Sequence, residues 1–452
     1  MQTFKHKRVA ILGLSTEGLD TAKFFRRVGA HIICCDRRTK EELGETYQKL
    51  VPITSRFQLG AGYLNDLERF DVIVRTPGMS PRLPELRGKN ITSATKLFFS
   101  LCPAPIIGVT GTKGKGTTST LIAQMLEEDG KKVWLGGNVG VPLLSKVTSI
   151  KREDFVVLEL SSFQLEDLKQ SPHIAVVLRT TQEHLVNQDK LASNYHETRE
   201  AYVEAKKSIV RYQTKEDIAI LNADDPTARS FASETPGQVL YFSRMDFSVA
   251  AHVKDHTVYL AENKICSLSD INLRGEHNLD NIAAASLAAL SSGASLTAIR
   301  KAAIAFEGLE HRLETVRTVD GVLYINDSFS TVPETAIAAL ESFTQPIILI
   351  AGGSEKGSDF TELGKVIAAK NVRVLVAIGA MTDRIVTAVK RAGYKGKIIT
   401  GCRSMHEVVD IAAREANPDN VVLLSPACAS FDMFSNYKER GKQFKHEVSL
   451  LS

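Results

Sequence analysis

The sequence predicts an α/β protein of three domains, each built around a mostly parallel sheet. Three observations carry that expectation. Short apolar runs alternate with helix-like stretches along the chain, the pattern that βαβ units produce. A glycine-rich loop stands between an apolar strand and a helical stretch near residue 110. The length of 452 residues suits about three domains of common size.

In the first unit, residues 1–93, Arg8–Leu12 reads as a buried strand and Gly13–Gly18 as a turn. A helical pattern runs over Leu19–Val28, with Ala22, Phe24 and Phe25 among its apolar positions. Ala30–Cys35 is a second strand ending at Asp36, and Asp71–Val74 a later one, followed by the turn Thr76-Pro77-Gly78. This is a Rossmann-like N-terminal parallel sheet. The second unit, residues 94–308, has strands at Pro105–Val109, Phe155–Leu160, Ile174–Leu178 and Ile218–Leu221. Its helices are expected from about Thr118 to Glu128 and over the Ala-rich Ile282–Leu290. The third, residues 309–452, places strands at Val322–Ile325, Ile347–Ala351, Val372–Ile378, Lys397–Ile399 and Val421–Leu424, and is again Rossmann-like. Ligands of such sheets lie beyond the carboxyl ends of the strands.

Composition narrows the function. Hydrophobic residues are 43% and charged residues 24%, ordinary for a soluble globular protein. The net charge of +4 suits anionic small molecules. No dense Lys/Arg run interleaved with aromatics suggests a nucleic-acid partner. The six cysteines, Cys34, Cys35, Cys102, Cys266, Cys402 and Cys428, form no C-x-x-C pair and read as reduced thiols. Neither a secretory signal nor an apolar run of about 18 residues is present, so no membrane span and a cytoplasmic location are expected.

The strongest local signal is TGTKGKGTT, Thr110 to Thr118. Glycines let backbone N–H groups turn onto phosphate oxygens, and the following helix N-terminus adds positive potential. Gly111, Thr112, Lys113, Gly114, Gly116, Thr117 and Thr118 are the candidate cradle, Lys115 can reach the terminal phosphates, and a hydroxyl of Thr117 or Thr118 can hold Mg²⁺. The second unit is therefore a P-loop-like ATPase domain. The loop departs from the Walker pattern: Val109 replaces its first glycine and Gly116 stands where Ser or Thr follows the lysine.

TGTKGKGTT resembles the nucleotide loop of the Mur ligase family, and further segments resemble that family in its order along nearly the whole chain. ELSSFQLE (Glu159–Glu166) is similar to the stretch carrying its Mg²⁺-binding glutamate. Gln182–Leu185 is similar to its "DHL/EHL" segment, and Ala201–Lys207 to the helix whose lysine carries a carbamate. Leu221–Asp225, Gly275–Asn281, His311-Arg312 and Asn326-Asp327-Ser328 complete the set. GGSEKGSDF (Gly352–Phe360) and LSPACASFDMFSNYKERGKQF (Leu424–Phe444) resemble the branch that adds D-glutamate.

The resemblance implies an ATP-dependent amide ligase of peptidoglycan synthesis. ATP would phosphorylate the alanyl carboxylate of UDP-N-acetylmuramoyl-L-alanine, and the amine of D-glutamate would attack the acyl phosphate. Lys115, His184 and Lys206 would be catalytic; Thr117, Glu159, His184 and a carbamylated Lys206 would serve two Mg²⁺ sites. Asn278 and Asn281 would face adenine, Arg312 would clamp the γ-phosphate, and Asp327 would contact the nucleotide. Contacts from the second and third domains imply closure over ATP that keeps water from the acyl phosphate. The amino acid would meet Thr331, Lys356, Ser430 and Tyr437. The UDP-linked acceptor would meet Ser15, Thr16, Asp36, Arg37, Arg38 and Gly78, with Asn138 and Gln164 at its sugar-peptide end. The enzyme is expected to act as a monomer.

The chain also departs from the family pattern. Glu183-His184-Leu185-Val186-Asn187 replaces a "DHMDR"-like run, Arg179 replaces an asparagine, and Gln188–Ser193 reads as an insertion. Phe329 stands where relatives have a lysine, and Tyr437 where they commonly have Phe. Two rival readings follow: a related Mur or folylpolyglutamate-type ligase with another acceptor or amino acid, and an NAD-dependent oxidoreductase. The latter rests on Gly13-Leu14-Ser15-Thr16-Glu17-Gly18 with Asp36 downstream, a G-x-G-x-x-G relative whose middle glycine is Ser15.

Overall fold

The computed structural model describes residues 2–54, 56–138, 141–180, 194–273, 275–355 and 357–451. The chain divides into two compact units, residues 1–271 with 276–306 and residues 272–275 with 307–452. The first unit holds two sheets and the second holds one.

The first sheet contains β1 (Arg8–Leu12), β2 (His31–Asp36), β3 (Phe57–Leu59), β4 (Val72–Arg75) and β5 (Ile91–Ser93), in the order β3-β2-β1-β4-β5 and all parallel. The order reverses between β1 and β4, so the turns after these two strands flank a switch point where such sheets bind ligands. Those turns touch closely: Gly13 has φ +91°, and a Cβ there would meet Thr76 Oγ1 at 2.5 Å. The helix after β1 begins at Thr16, three residues before the expected start, so Thr16, Glu17 and Gly18 form its first turn.

The second sheet has nine strands: β6 (Ile106–Thr110), β7 (Val133–Gly137), β8 (Phe155–Glu159), β9 (Ile174–Val177), β10 (Ile218–Asn222), β11 (Gln238–Ser243), β12 (Ala251–Lys254), β13 (Thr257–Leu260) and β14 (Asn263–Ser267). Central β6 pairs in parallel with both β8 and β9, which places their carboxyl ends side by side. The antiparallel β12-β13-β14 meander extends one edge. The central strands are buried apart from half-buried Phe155 and, up to Glu159 of β8 and Thr110 of β6, read as continuous apolar runs, as strands covered on both faces do. One core runs through the first unit, from Val9, Ile11, Phe24 and Phe25 under the first sheet to Val156, Leu158 and Ile209 under the second.

In the second unit, β15 (Glu314–Val319), β16 (Val322–Asn326), β17 (Ile347–Gly352), β18 (Val372–Ile378), β19 (Lys397–Ile399) and β20 (Val421–Leu424) form the order β15-β16-β20-β17-β18-β19, with β15 antiparallel at the edge. Leu349, Leu375 and Leu423 lie on one face of this sheet and Ile350, Val376 and Leu424 on the other, each face covered by its own core. No described helix is long and apolar enough to cross a membrane.

Candidate active site

The loop after β6 is shaped by two glycines. Gly111 has φ +146°, and a Cβ would lie 2.7 Å from Leu178 Cβ. Gly114 has φ +85°, and a Cβ would lie 2.3 Å from Asn281 Oδ1. Both take conformations that side-chain-bearing residues rarely adopt. The helix Lys115–Glu128 starts at the lysine itself, so Lys115 and Gly116 sit in its first turn. Sequence placed the start near Thr118 because Lys-Gly-Thr-Thr carries no apolar periodicity. Lys115 Nζ donates to the Gly111 and Thr112 carbonyls at 3.1 and 2.8 Å, which holds the cation over the loop. Thr112 N–H donates to the Arg179 carbonyl at 2.9 Å, and Lys113 is exposed. First-turn N–H groups together with an ammonium suit an anion.

Asn278 and Asn281, both buried, open the helix His277–Ser291 beside the loop. Asn281 Nδ2 donates to Asn278 Oδ1 at 2.9 Å, and Thr118 Oγ1 donates to Asn281 Oδ1 at 3.4 Å. The structure thus brings these two predicted residues onto the phosphate loop. Thr117 is half-buried in the same turn.

Glu159 closes β8, one strand from the loop, and is 5% exposed. Its Oε2 is buried without a hydrogen-bond partner. Lys206, on the helix Arg199–Arg211, is 1% exposed, and its Nζ donates to Thr110 Oγ1 at 3.2 Å and to the Gly111 carbonyl at 3.0 Å. The same ammonium lies 4.7 Å from the Tyr202 ring centroid. Its neighbour Lys207 instead turns outward to Glu234 at 2.8 Å. Among the described residues no three His, Cys, Asp or Glu side chains converge as a metal cage. One buried, unpartnered carboxylate beside a phosphate loop fits Mg²⁺, which keeps waters and takes few carboxylates together with substrate phosphates. His184 and Lys356 lie outside the described residues.

Sequence reasoning missed His196 and Asn194. His196 is 2% exposed; its Nε2 pairs with Ser162 Oγ at 2.9 Å, and its ring stacks on Phe163 at 4.9 Å. It also meets the Tyr202 ring edge-on at 5.5 Å. No periodicity or motif in the sequence marked either residue.

At the switch point of the first sheet, Ser15 and Thr16 are exposed at the N-terminus of the helix Thr16–Arg27. Asp36 is buried; it accepts from Leu14 N–H at 2.7 Å and from Arg38 Nη2 at 2.9 Å. Burial opposes its charge, but these bonds hold it below the usual carboxylate range. Arg37 is exposed beside it. Glu17 is pushed up to about 7 by burial, against the pull of the Arg75 guanidinium. Asn138 is exposed and its N–H donates to the Glu159 carbonyl at 3.1 Å. The Gln164 side chain caps its own short helix, accepting from Ser161 N–H at 2.9 Å.

In the second unit, Asp327 follows β16 and accepts from Ser425 Oγ at 2.7 Å and Leu313 N–H at 3.2 Å. Burial pushes its carboxyl up to about 7 despite those bonds and nearby Arg312. The Arg312 guanidinium lies 3.9 Å from the Phe329 ring centroid, and Phe329 packs edge-on against Tyr437 at 5.0 Å. Glu310 and Glu314 bond Lys445. Ser430 is buried and its carbonyl starts the turn to Phe434, while Thr331 is half-buried just before the helix Pro333–Glu341.

Comparison with known proteins bears on the family and the fold. Residues 109–289 match the model of the Mur ligase middle domain, and residues 311–428 that of the Mur ligase glutamate ligase domain. The chain is 43% identical to the UDP-N-acetylmuramoylalanine–D-glutamate ligase of Acetivibrio thermocellus, over 98% of this chain and 97% of the relative. It is also 43% identical to the enzyme of that name from Symbiobacterium thermophilum, over 99% and 98%. Among solved structures, the UDP-N-acetylmuramate–alanine ligase of Thermotoga maritima shares the fold, with a TM-score of 0.62, 16% identity and coverage of 98% and 99% of the two chains.

Proposed function

The chain belongs to the Mur ligase family, and from that premise we propose that it joins D-glutamate to UDP-N-acetylmuramoyl-L-alanine, as a monomer in the cytoplasm. As an ATP-dependent ligase of peptidoglycan synthesis it must activate a carboxylate before an amine can displace oxygen from it. The γ-phosphoryl group passes to an oxygen of the alanyl carboxylate as its bond to the β–γ bridging oxygen breaks and ADP is released. The free amine of D-glutamate then attacks the acyl phosphate, a tetrahedral intermediate forms, and inorganic phosphate leaves with the C–O electron pair. Two anions meet in the first step, so cationic positioning carries most of the acceleration.

The observation that supports this most is the loop itself: Gly111 and Gly114 at positive φ, Lys115 folded over it, and buried Lys206 on the Thr110 hydroxyl and the Gly111 carbonyl. Lys115 neutralises the terminal phosphates. Glu159 and Thr117 would hold Mg²⁺, which when bound supplies further charge neutralisation; His184 and a carbamylated Lys206 would serve a second ion. Carbamylation turns the Lys206 cation into a carboxylate-like anion, and intact-mass measurement of a gain near that of CO₂ tests it. Asn278 and Asn281 position adenine, Arg312 the γ-phosphate, and Asp327 the nucleotide. Ser15, Thr16, Asp36, Arg37, Arg38 and Gly78 take the acceptor's nucleotide, with Asn138 and Gln164 toward its sugar-peptide end. Thr331, Lys356, Ser430 and Tyr437 take the amino acid. Three domains, 1–93, 94–308 and 309–452, divide these tasks.

The test is phosphate release from Mg·ATP with UDP-N-acetylmuramoyl-L-alanine and, in turn, D-Glu, L-Glu, L-Ala or diaminopimelate. D-Glu alone should stimulate. Stimulation by another amino acid reassigns the substrate, and stimulation by none removes the proposal.

A further inference from the structure

We propose that Asn194 and His196 are positioning residues that tie the acceptor-binding turn of the first sheet to the phosphate loop, so that a bound acceptor tightens the triphosphate site. The inference rests on the acceptor reading of the Thr76-Pro77-Gly78 turn given above. Asn194 Nδ2 donates to the Pro77 carbonyl at 2.9 Å and to Glu166 Oε2 at 3.4 Å. Arg82, on the same side of that turn, bonds Glu166 and the Tyr195 carbonyl, and Arg75 at the end of β4 bonds Asp167 at 2.8 Å. The acceptor turn is thereby fastened to the segment that follows Glu159.

Two residues on, His196 continues the path. Its bond to Ser162 Oγ fixes the residue three places after Glu159. Its edge contact with Tyr202 reaches a side chain whose hydroxyl bonds Thr112 Oγ1 at 3.1 Å inside the phosphate loop. Lys206 lies over the same tyrosine ring. One short stretch of chain therefore touches the acceptor turn at Asn194, and the metal-side segment and phosphate loop at His196.

A second observation gives the path something to sense. Asn194 is 2% exposed, yet its Oδ1 is buried with no hydrogen-bond partner. A buried acceptor left unmade is costly, and a donor from the acceptor substrate that satisfies it favours the arrangement in which Asn194 holds Pro77. Coupling of this kind is reciprocal, so the acceptor and ATP must each tighten the other.

The experiment is calorimetry of a non-hydrolysable Mg·ATP analogue binding to the full chain, with and without saturating UDP-N-acetylmuramoyl-L-alanine. The wild type should bind the analogue about fivefold or more tightly with the acceptor present. Asn194→Ala and His196→Ala should bring that ratio to about one while the analogue alone binds within about threefold of wild type. His196→Phe, which keeps the stack on Phe163 and the edge on Tyr202, should recover part of the coupling. A purely structural role would instead lower the unfolding midpoint and weaken the analogue alone, leaving the ratio intact. A wild-type ratio of one, or alanine variants that keep the wild-type ratio, overturns the inference and leaves the proposed reaction standing. Failure of the wild type to bind the acceptor at all removes the proposed reaction and this inference with it.

Discussion

Replacing Gly114 by Ala tests the phosphate loop most directly. The residue sits at φ +85°, where a side chain costs about 1–2 kcal/mol. The new Cβ would lie 2.3 Å from Asn281 Oδ1 and 3.2 Å from Leu178 Cδ1. Asn281 cannot yield without giving up its bonds to Thr118 and Asn278, each worth about 1 kcal/mol. The sum is about 3–4 kcal/mol. If the loop reshapes to escape the strain, that energy appears as a loss of Mg·ATP affinity on the order of 10²–10³-fold. If the loop holds, it appears as lost stability. Calorimetry with an ATP analogue and thermal unfolding together account for both routes. Gly130→Ala is the control: φ is +78° and nothing lies within 4 Å of its Cβ, so only the backbone cost of about 1–2 kcal/mol remains, with no change in affinity. Gly114→Ala binding within threefold of wild type, at an unchanged unfolding midpoint, would refute the reading of this loop.

Glu159→Gln should lower kcat about 100-fold and raise the Mg²⁺ concentration needed for half-maximal rate, measured by phosphate release across a metal titration. Asp327, pushed up to about 7, binds its proton in the folded chain more tightly than in the unfolded one, so its contribution to stability is full at low pH and lost as pH rises toward 7. Asp327→Asn removes that slope: relative to the variant, wild type should lose about 1.4 kcal/mol per pH unit between pH 5 and 6.5, then level off above 7, read from denaturant unfolding. Phe329→Ala frees the Arg312 guanidinium from its ring and should cost about 0.5–2 kcal/mol in kcat/KM for ATP, with Phe329→Tyr near wild type. An unchanged kcat/KM in Phe329→Ala would show that the stack has no part in phosphate recognition.

Much of the fold was legible because parallel strands buried on both faces must be written as unbroken apolar runs. Val372–Ile378, Lys397–Ile399 and Val421–Leu424 are formed at the positions their composition predicts. The edge meander of β12, β13 and β14 was not legible: its strands are short, partly exposed and interrupted by a register shift, so alternation is weak. Within the candidate site, Glu159 could be found because it ends an apolar run, where a carboxylate has no reason to lie unless it faces a ligand. Lys206 and Lys207 look alike as a pair, but helical spacing separates them. Tyr202, Ala205 and Ile209 form the buried face of their helix, and Lys206 falls on it while Lys207 does not. Asn194 and His196 lie ahead of the helix Arg199–Arg211 and outside any regular helix or strand, so their burial depends on tertiary contacts that no local pattern encodes.

The distribution of unsatisfied polar atoms gives the same answer from a different direction. Among the described residues, buried carboxylate, guanidinium, amide or imidazole atoms without partners occur on Glu17, Arg75, Glu159, Asn194, His252 and His311. Five of these six belong to the first unit, and four of them, Glu17, Arg75, Glu159 and Asn194, lie on or beside the turns and strand ends of the candidate acceptor and phosphate sites. Each costs about 1–3 kcal/mol if nothing returns the hydrogen bond, so a chain selected for stability alone would have paired or removed them. The apolar cores beneath β1, β6 and β8 supply the surplus that tolerates this cost. The first two sheets therefore hold buried polar atoms without protein partners near the carboxyl ends of their strands. Hydrogen-bond donors for Glu17 and Asn194, an acceptor for Arg75 and a cation for Glu159 would satisfy them, a set that the proposed nucleotide-sugar acceptor and Mg·ATP offer between them.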